Sequence, residues 1–300
     1  MRTDHRGAIL SLALLTSVLF ACKGVKDQMS GDTGGTSSSA AVAPSAPAAV
    51  ATTANEVTFV KAVPKAGTKV SAKNSSKVKF TFQGQVIRST EETSIEVEVQ
   101  SADEFRVTKA AIDVKELYST NQQGTGNETK SVNPLAGSRF VVTRGDDGKL
   151  SALDGAGSKV AAAQQKQLEQ HFANIFERDK TREFLPNRPV KIGEKLIPSS
   201  DAVLGLLGQK DDGKSTVDGV EFILRTSTPD KATFAVNLTF TQKIEGGIRL
   251  RAKLDGTIDV RPKDSEVVNV SLKGPLALLD AQGNEKGTGD FSFNGDETPL

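Results

Sequence analysis

Residues 233–254 read TFAVNLTFTQKIEGGIRLRAKL, and this stretch decides the fold class. Apolar residues take every second position from Phe234 to Phe240. The alternation returns from Ile248 to Leu254, after the glycine pair that ends Glu245-Gly-Gly. A period of two turns one face of a strand to the core and the other to water. The stretch therefore predicts two antiparallel strands joined by a tight turn.

The same alternation recurs on both sides of this hairpin, at 78–82, 95–99, 268–272 and 291–293. Asp147-Gly148 and Gly283-Asn284 are turn signals between such runs and predict further hairpins. Asp255-Gly256 also resembles a turn, but alternation continues through Ile258 and Val260, so a β-bulge is the alternative there. Together these segments predict about ten to twelve strands.

The middle of the chain changes character. From Val160 to about Phe184 the composition shifts to alanine, glutamine, glutamate and lysine, which favour helix, with Ser158 as N-cap and Pro186 as the stop. One apolar face is predicted, formed by Leu168, Phe172, Ile175 and Phe176. A short second helix is expected at about 201–207, capped by Ser199 or Ser200.

Strands, a helical centre and more strands define an α+β chain that is mostly β. We expect a curved antiparallel sheet or half-barrel of about ten to twelve strands, with one long and one short central helix packed against it. Residues 56–300 are predicted to form this single mainly-β globular domain. Residues 1–21 and 22–55 have other compositions, described next.

Residues 1–21 have the layout of a secretory signal, with Arg2 and Arg6 ahead of an apolar run that ends at Phe20. Leu19-Phe20-Ala21-Cys22 resembles the bacterial lipobox, although Phe20 is bulkier than the usual middle residue. The resemblance implies that Cys22 becomes an N-terminus carrying a thioether-linked diacylglycerol and an N-acyl chain such as palmitate. Cys22 is also the single cysteine of the chain, so intrachain disulfides are excluded.

The residue after the cysteine bears on location. In enteric lipoproteins an aspartate there favours retention in the inner membrane, whereas this chain has Lys23. The resemblance implies an exported protein anchored at the outer membrane. Residues 22–55, rich in glycine, serine, threonine, alanine and proline, are predicted to form a lipidated, disordered tether.

The net charge of the exported chain bears on whether it binds nucleic acid. Removing residues 1–21 deletes Arg2, Arg6 and Asp4, so 38 basic and 37 acidic residues become 36 and 36. A net charge of zero argues against nucleic-acid binding. The predicted partners are the membrane, through the lipid anchor, and either a hydrophobic ligand or an envelope protein.

The residues offer little chemistry. After export His171 is the single histidine, which excludes a multi-histidine zinc site and a cysteine–histidine nucleophile pair. The two DDGK strings, at 146–149 and 211–214, lack the alternating acidic oxygens of a calcium loop and are better explained as turns. We therefore expect no catalytic residue, no metal site and no cofactor.

Residues 185–195 read LPNRPVKIGEK, the most distinctive string of the domain. Pro186, Pro189, Val190, Gly193 and Glu194 match a Pro-x-x-Pro-Val-x-x-Gly-Asp/Glu motif, so the chain resembles a family of uncharacterised bacterial lipoproteins. Relatives often follow with tryptophan, where this chain has Lys195-Leu196. The resemblance implies a fold and no activity.

Two functions remain open. In coarse outline the predicted fold is similar to lipoprotein-carrier-like half-barrels, which implies an apolar cleft between sheet and helix. The alternative is a non-catalytic structural or protein-interaction domain of the cell envelope. For a cleft, the candidate lining on sheet and helix is Phe80, Phe82, Leu168, Phe172, Ile175, Phe176, Phe234, Leu238 and Phe240.

Overall fold

The computed structural model describes residues 55–60, 67–82, 85–98, 109–123, 127–145, 147–172, 182–207, 213–243 and 247–299. The predictions for Cys22, the leader and the tether fall outside these residues, as do Ile175 and Phe176. The helices are α1 (Ala162–Phe172) and α2 (Ser200–Leu206). The strands are β1 (Glu56–Val57), β2 (Lys69–Phe82), β3 (Gln85–Glu98), β4 (Lys109–Gln123), β5 (Asn127–Val132), β6 (Ser138–Arg144), β7 (Leu150–Asp154), β8 (Val190–Lys191), β9 (Lys195–Leu196), β10 (Ser215–Ser227), β11 (Ala232–Lys243), β12 (Arg249–Arg261), β13 (Glu266–Leu279) and β14 (Glu285–Pro299).

A 12-stranded sheet dominates the structure and confirms the predicted mostly-β fold class. Its order is β7-β6-β4-β3-β2-β14-β13-β12-β11-β10-β9, with β5 paired to β4, and β1 and β8 form a separate two-stranded sheet. All pairings are antiparallel, as the alternation predicted. Strand β14 pairs with β2 from Gly287↔Phe82 to Pro299↔Val70. The first and last long strands of the described chain therefore lie side by side in the middle of the sheet.

The alternation of the sequence becomes two faces of the sheet. In β11, Phe234, Val236, Leu238 and Phe240 are buried, whereas the residues between them are exposed or half-buried. We call the buried side the inner face and the opposite side the outer face. Burial of each phenylalanine or leucine side chain stabilises the fold by about 1.5–3 kcal/mol relative to an exposed one. The side chains of the inner face are therefore the main source of hydrophobic stabilisation.

Glycines on the inner face show where neighbouring strands approach most closely. A Cβ on Gly256 would lie 1.9 Å from the carbonyl oxygen of Ser271, and one on Gly274 would lie 1.8 Å from that of Lys253. A Cβ on Gly289 would lie 2.2 Å from the carbonyl oxygen of Lys79. Backbone atoms this close leave no room for a side chain, which explains glycine at these positions.

Two local predictions differ from the structure. Asp255-Gly256 is neither a turn nor a bulge: β12 runs through it in constant register with β11, and the bulge against β13 lies at Asp259/Val260. The long helix does not reach Phe184, because Arg182–Phe184 forms a turn. The aromatic ring of Phe184 packs on the inner face, against the rings of Phe222 and Phe234.

A third local prediction also differs: Ser158 is not the N-cap of the long helix, because its amide donates to Asp154 Oδ1 at 2.8 Å in the turn after β7 and α1 begins only at Ala162. The predictions of the short helix and of two turns are confirmed. The short helix begins after Ser199, whose hydroxyl accepts a hydrogen bond from the amide of Ala202 at 3.3 Å. Asp147-Gly148 joins β6 to β7, and Gly283-Asn284 joins β13 to β14. Neither described helix has the length and continuous hydrophobicity needed to cross a membrane.

Candidate functional site

The inner face carries two separate apolar clusters. The larger one spans β10 to β14 and the end of β2, and it contains Phe80, Phe82, Phe234, Leu238 and Phe240. The smaller one joins α1 to β2, β3, β4 and β6 through side chains that include Leu168, Phe172 and Phe140. The structure therefore does not bring the predicted sheet lining and the predicted helix lining together in one cleft.

A band of polar side chains on the inner face lies between the clusters. Register places Glu91 opposite Ser76, and Thr93 opposite Asn74, while Glu297 lies opposite Ala72. These polar side chains are no more than 4 % exposed. Because these side chains are polar, the band interrupts the apolar surface of the inner face. Buried polar groups of this kind need polar partners to offset the loss of water.

Two short segments cover the larger cluster, and we call residues 55–60 and 182–207 the cover segments. They place Val57, Phe59, Phe184 and Leu185 in the larger cluster, together with the buried side of α2. Phe59 lies against Phe234 with ring centroids 5.8 Å apart. The ring of Phe184 meets those of Phe222 and Phe234 at 5.1 and 6.0 Å. Edge-to-face rings at these distances gain about 0.5–1.5 kcal/mol beyond burial.

In the described residues, the cover segments are attached to the sheet by local hydrogen bonds at separate points rather than by a long strand ladder. The amide of Val60 donates to the carbonyl of Pro262 at 2.9 Å. Strand β9 pairs with β10 only at Leu196↔Phe222 and Lys195↔Ile223. The hydroxyl of Ser200 donates to the carbonyl of Val217 at 3.3 Å. Segments held in this way open locally at less cost than a central strand.

The proline-rich string identified in the sequence forms the turn that anchors the cover. Gly193 adopts φ +85°, and its amide donates to the carbonyl of Leu224 at 2.7 Å, while Leu224 donates back to Glu194 at 3.2 Å. The carboxylate of Glu194 accepts from the Arg188 guanidinium at 2.5 Å and from the Lys191 amide at 2.9 Å. The hydrogen bond from Arg188, with that from Lys191, lowers the pKa of Glu194 below its ordinary value. The motif thus fixes a turn and carries no reactive group.

Each predicted lining residue in the described chain is buried. Phe80, Phe82, Phe234, Leu238 and Phe240 are at most 5 % exposed, and Leu168 and Phe172 at most 1 %. Sequence reasoning missed Phe59 and Phe184, which cover the larger cluster, and Phe222, which belongs to that cluster on β10. The signals were present, because Val57 and Phe59 alternate with Glu56 and Thr58, and Phe222 lies in the alternating series Val220, Phe222 and Leu224 of β10. In the described residues, no cluster of three histidine, cysteine or carboxylate side chains could hold a metal ion.

Comparisons with known proteins add little. No protein-family model and no curated protein matches the sequence. A structure of lipovitellin, determined to describe lipid–protein interactions, is similar over 78% of this chain with 8% identity and a TM-score of 0.34. The chain spans 25% of that lipovitellin chain. DynF, from the dynemicin biosynthesis pathway of Micromonospora chersina, shares 13% identity over 86% of this chain and 92% of its own, with a TM-score of 0.17. Likenesses at this level indicate neither a shared fold nor a shared function.

Proposed function

We propose that this protein is a non-catalytic binding lipoprotein, anchored through Cys22 at the outer membrane, that holds a hydrophobic chain on the inner face of its sheet. The observation that carries the proposal is the cover of the larger cluster. In the described residues, the small sheet of β1 and β8, the short helix α2 and the rings of Phe59 and Phe184 lie where a full second sheet would normally complete a β-sandwich. The ligand would take the place of Phe59 and Phe184 against Phe222 and Phe234.

The free energies of burial restrict the class of ligand. Moving both phenylalanine rings out of the cluster costs about 3–6 kcal/mol, because burial of each is worth about 1.5–3 kcal/mol. A bound alkyl chain gains about 0.8 kcal/mol for each buried methylene. A chain of about a dozen methylenes therefore offsets the displacement with several kcal/mol to spare, whereas a small ring compound does not. Fatty acyl chains are the ligands that fit this condition.

The polar band sets the extent of the proposed site. An alkyl chain gains its binding free energy from apolar contacts, and toward Glu91, Asn74 and Thr93 the inner face offers polar side chains instead. The chain is therefore expected along the larger cluster, beneath the cover segments. Leu168 and Phe172 belong to the smaller cluster, so they contribute to stability in this account and do not line the site.

The test uses the full chain with Cys22→Ser, which removes the protein's own lipid. Mass spectrometry of an organic extract should reveal bound acyl lipid, and the delipidated protein should bind a fluorescent hexadecanoic acid. Because the rings no longer need to be displaced, Phe59→Ala with Phe184→Ala should tighten binding at least tenfold. Phe140→Ala, in the smaller cluster, is the matched control and should leave binding unchanged.

Phe184→Leu is a milder variant that should fold and also bind more tightly, by about threefold to tenfold. The proposal is overturned if the extract holds no acyl lipid and neither wild type nor Phe184→Leu binds the fluorescent acid. In that case the alternative, a non-catalytic structural or protein-interaction domain of the envelope, becomes the better account.

A further inference from the structure

A cavity of about 550 Å³ opens on the outer face, on the opposite side of the sheet from the proposed hydrophobic site. It crosses five adjacent strands, β3, β2, β14, β13 and β12. Register arranges the outer-face side chains of its lining in two rows. One row is Thr90–Lys77–Ser292–Lys273–Asp255, and the next is Arg88–Lys79–Asp290–Pro275. Its volume is within the range of small-molecule sites, about 300–1,000 Å³.

The cavity has a local cause in the sequence. Pro275 has no amide hydrogen and lies in the interior of the sheet, where proline is rare. The pairing of β12 with β13 lapses there, between Ala252↔Leu276 and Asp255↔Lys273. Beside it, Gly274 allows the backbone of Lys253 to come closer than any side chain would permit. The adjacent Gly274-Pro275 pair thus interrupts the regular outer face where the cavity lies.

The charges around the cavity are unbalanced. Three lysines line it, Lys77, Lys79 and Lys273, against the carboxylates of Asp255 and Asp290. Asp290 lies directly opposite Lys79, and Asp255 opposite Lys273. Nevertheless, among the described residues neither pair forms a salt bridge, whereas Arg139–Glu96 and Lys231–Asp259 on the same sheet do. The three lysine ammonium groups therefore keep their donors available.

The spacing of these lysines suits one shared anion. Lys77 and Lys79 lie two residues apart on one strand, about 7 Å, and Lys273 lies two strands from Lys77, about 10 Å. Lysine side chains are long enough to converge from such positions above Ser292, which lies between Lys77 and Lys273. Three ammonium groups and a hydroxyl match the charge and the hydrogen-bonding oxygens of a phosphate.

We propose that this outer-face cavity binds the phosphate group of a small phosphorylated molecule or of a lipid head group. Solvated surface lysines are the ordinary explanation for three unpaired ammonium groups, and they bind anions without regard to position. Binding that depends on these three lysines and not on others distinguishes the two cases. The site is independent of the proposed hydrophobic site, since the two lie on opposite faces of the sheet.

The experiment measures glycerol 3-phosphate binding to the full chain by titration calorimetry at low ionic strength. The variant Lys77→Gln/Lys79→Gln/Lys273→Gln should bind at least tenfold more weakly than wild type. Lys159→Gln/Lys166→Gln/Lys263→Gln makes the same charge change at exposed positions away from the cavity and should bind as wild type does. Asp290→Asn removes the carboxylate opposite Lys79 and should tighten binding two- to fourfold.

A parallel arm separates the two sources of phosphate, using vesicles of phosphatidylglycerol and of phosphatidylcholine. Lysine-dependent binding of glycerol 3-phosphate supports a soluble ligand. Lysine-dependent binding of phosphatidylglycerol vesicles alone supports a lipid head group. The proposal is overturned if neither probe binds, or if the control variant loses as much affinity as the cavity variant. Unchanged unfolding midpoints in both triple variants establish that folding does not cause the difference.

Discussion

Gly274 and Lys253 lie so close across β12 and β13 that a Cβ on the glycine would be 1.8 Å from the lysine carbonyl oxygen. The obstructing atom belongs to the backbone of a central strand, so it cannot move aside as a flexible side chain would. This contact lies at the boundary between the two sites proposed above. Gly274 faces the inner side, and its neighbour Pro275 lines the outer cavity.

Gly274→Ala should therefore destabilise the protein by about 3 kcal/mol, because two strands must separate to admit one methyl group. Denaturant unfolding followed by circular dichroism measures this. Gly155→Ala is the matched control, since its added Cβ would meet nothing nearer than 3.8 Å and its φ is not positive. Equal stability of the two variants would contradict the close approach of the strands.

The ion cluster of Arg261 gives a second prediction. Its guanidinium contacts Asp264 at 2.9 Å and also Glu266, whose side chain is 2% exposed. Arg261→Ala leaves carboxylates in a buried setting without this cation, so it should cost about 3–5 kcal/mol. Lys231→Ala removes an exposed partner of Asp259 and should cost less than about 1 kcal/mol. A thermal unfolding comparison that shows similar losses would refute this assignment.

The turn of the cover segments predicts a pH dependence through Glu194. Its folded pKa is lowered, chiefly by the hydrogen bond from Arg188, so its contribution to stability is present above the unfolded pKa of about 4.3. That contribution is lost as pH falls through the lower folded value. Glu194→Gln should therefore lower the melting temperature at pH 7 and have a shrinking effect below about pH 4.

Glu285→Gln, at an exposed position of β14, is the control for charge alone. Melting curves between pH 3 and pH 7 compare the two variants. If the effect of Glu194→Gln is the same at every pH, the carboxylate does not hold the turn through its charged form.

Lipidation predicts a specific difference in mass at the new N-terminus. In cells, wild-type protein should be cleaved before Cys22 and carry a diacylglycerol and an amide-linked acyl chain. Cys22→Ser should remain uncleaved and incorporate no labelled palmitate. Phe20→Ala should speed processing, because it restores a small residue within the lipobox. Acyl label that persists in Cys22→Ser would contradict the anchor.

Sequence predicted the strands well because burial on one face imposes a period of two, as in Phe234 to Phe240. The sequence prediction extended the long helix as far as Phe184, because residues that favour helix continue up to that point. In the structure the ring of Phe184 packs against Phe222 and Phe234, a long-range contact that composition does not reveal. The polar band escaped prediction because Glu91 and Thr93 resemble residues of a solvated strand until register places them opposite Ser76 and Asn74 of β2. The outer cavity depends on the register of five strands, which no single stretch of sequence encodes.

The central claim is that an acyl chain displaces the ring at position 184, and the absence of tryptophan from the chain makes a direct measurement possible. Phe184→Trp in the full chain with Cys22→Ser provides one indole at the proposed site, free of background emission. Addition of hexadecanoic acid should shift its emission to the red, because the ring leaves the apolar cluster for water. Emission that stays at the buried wavelength while the acid saturates the protein would contradict the account.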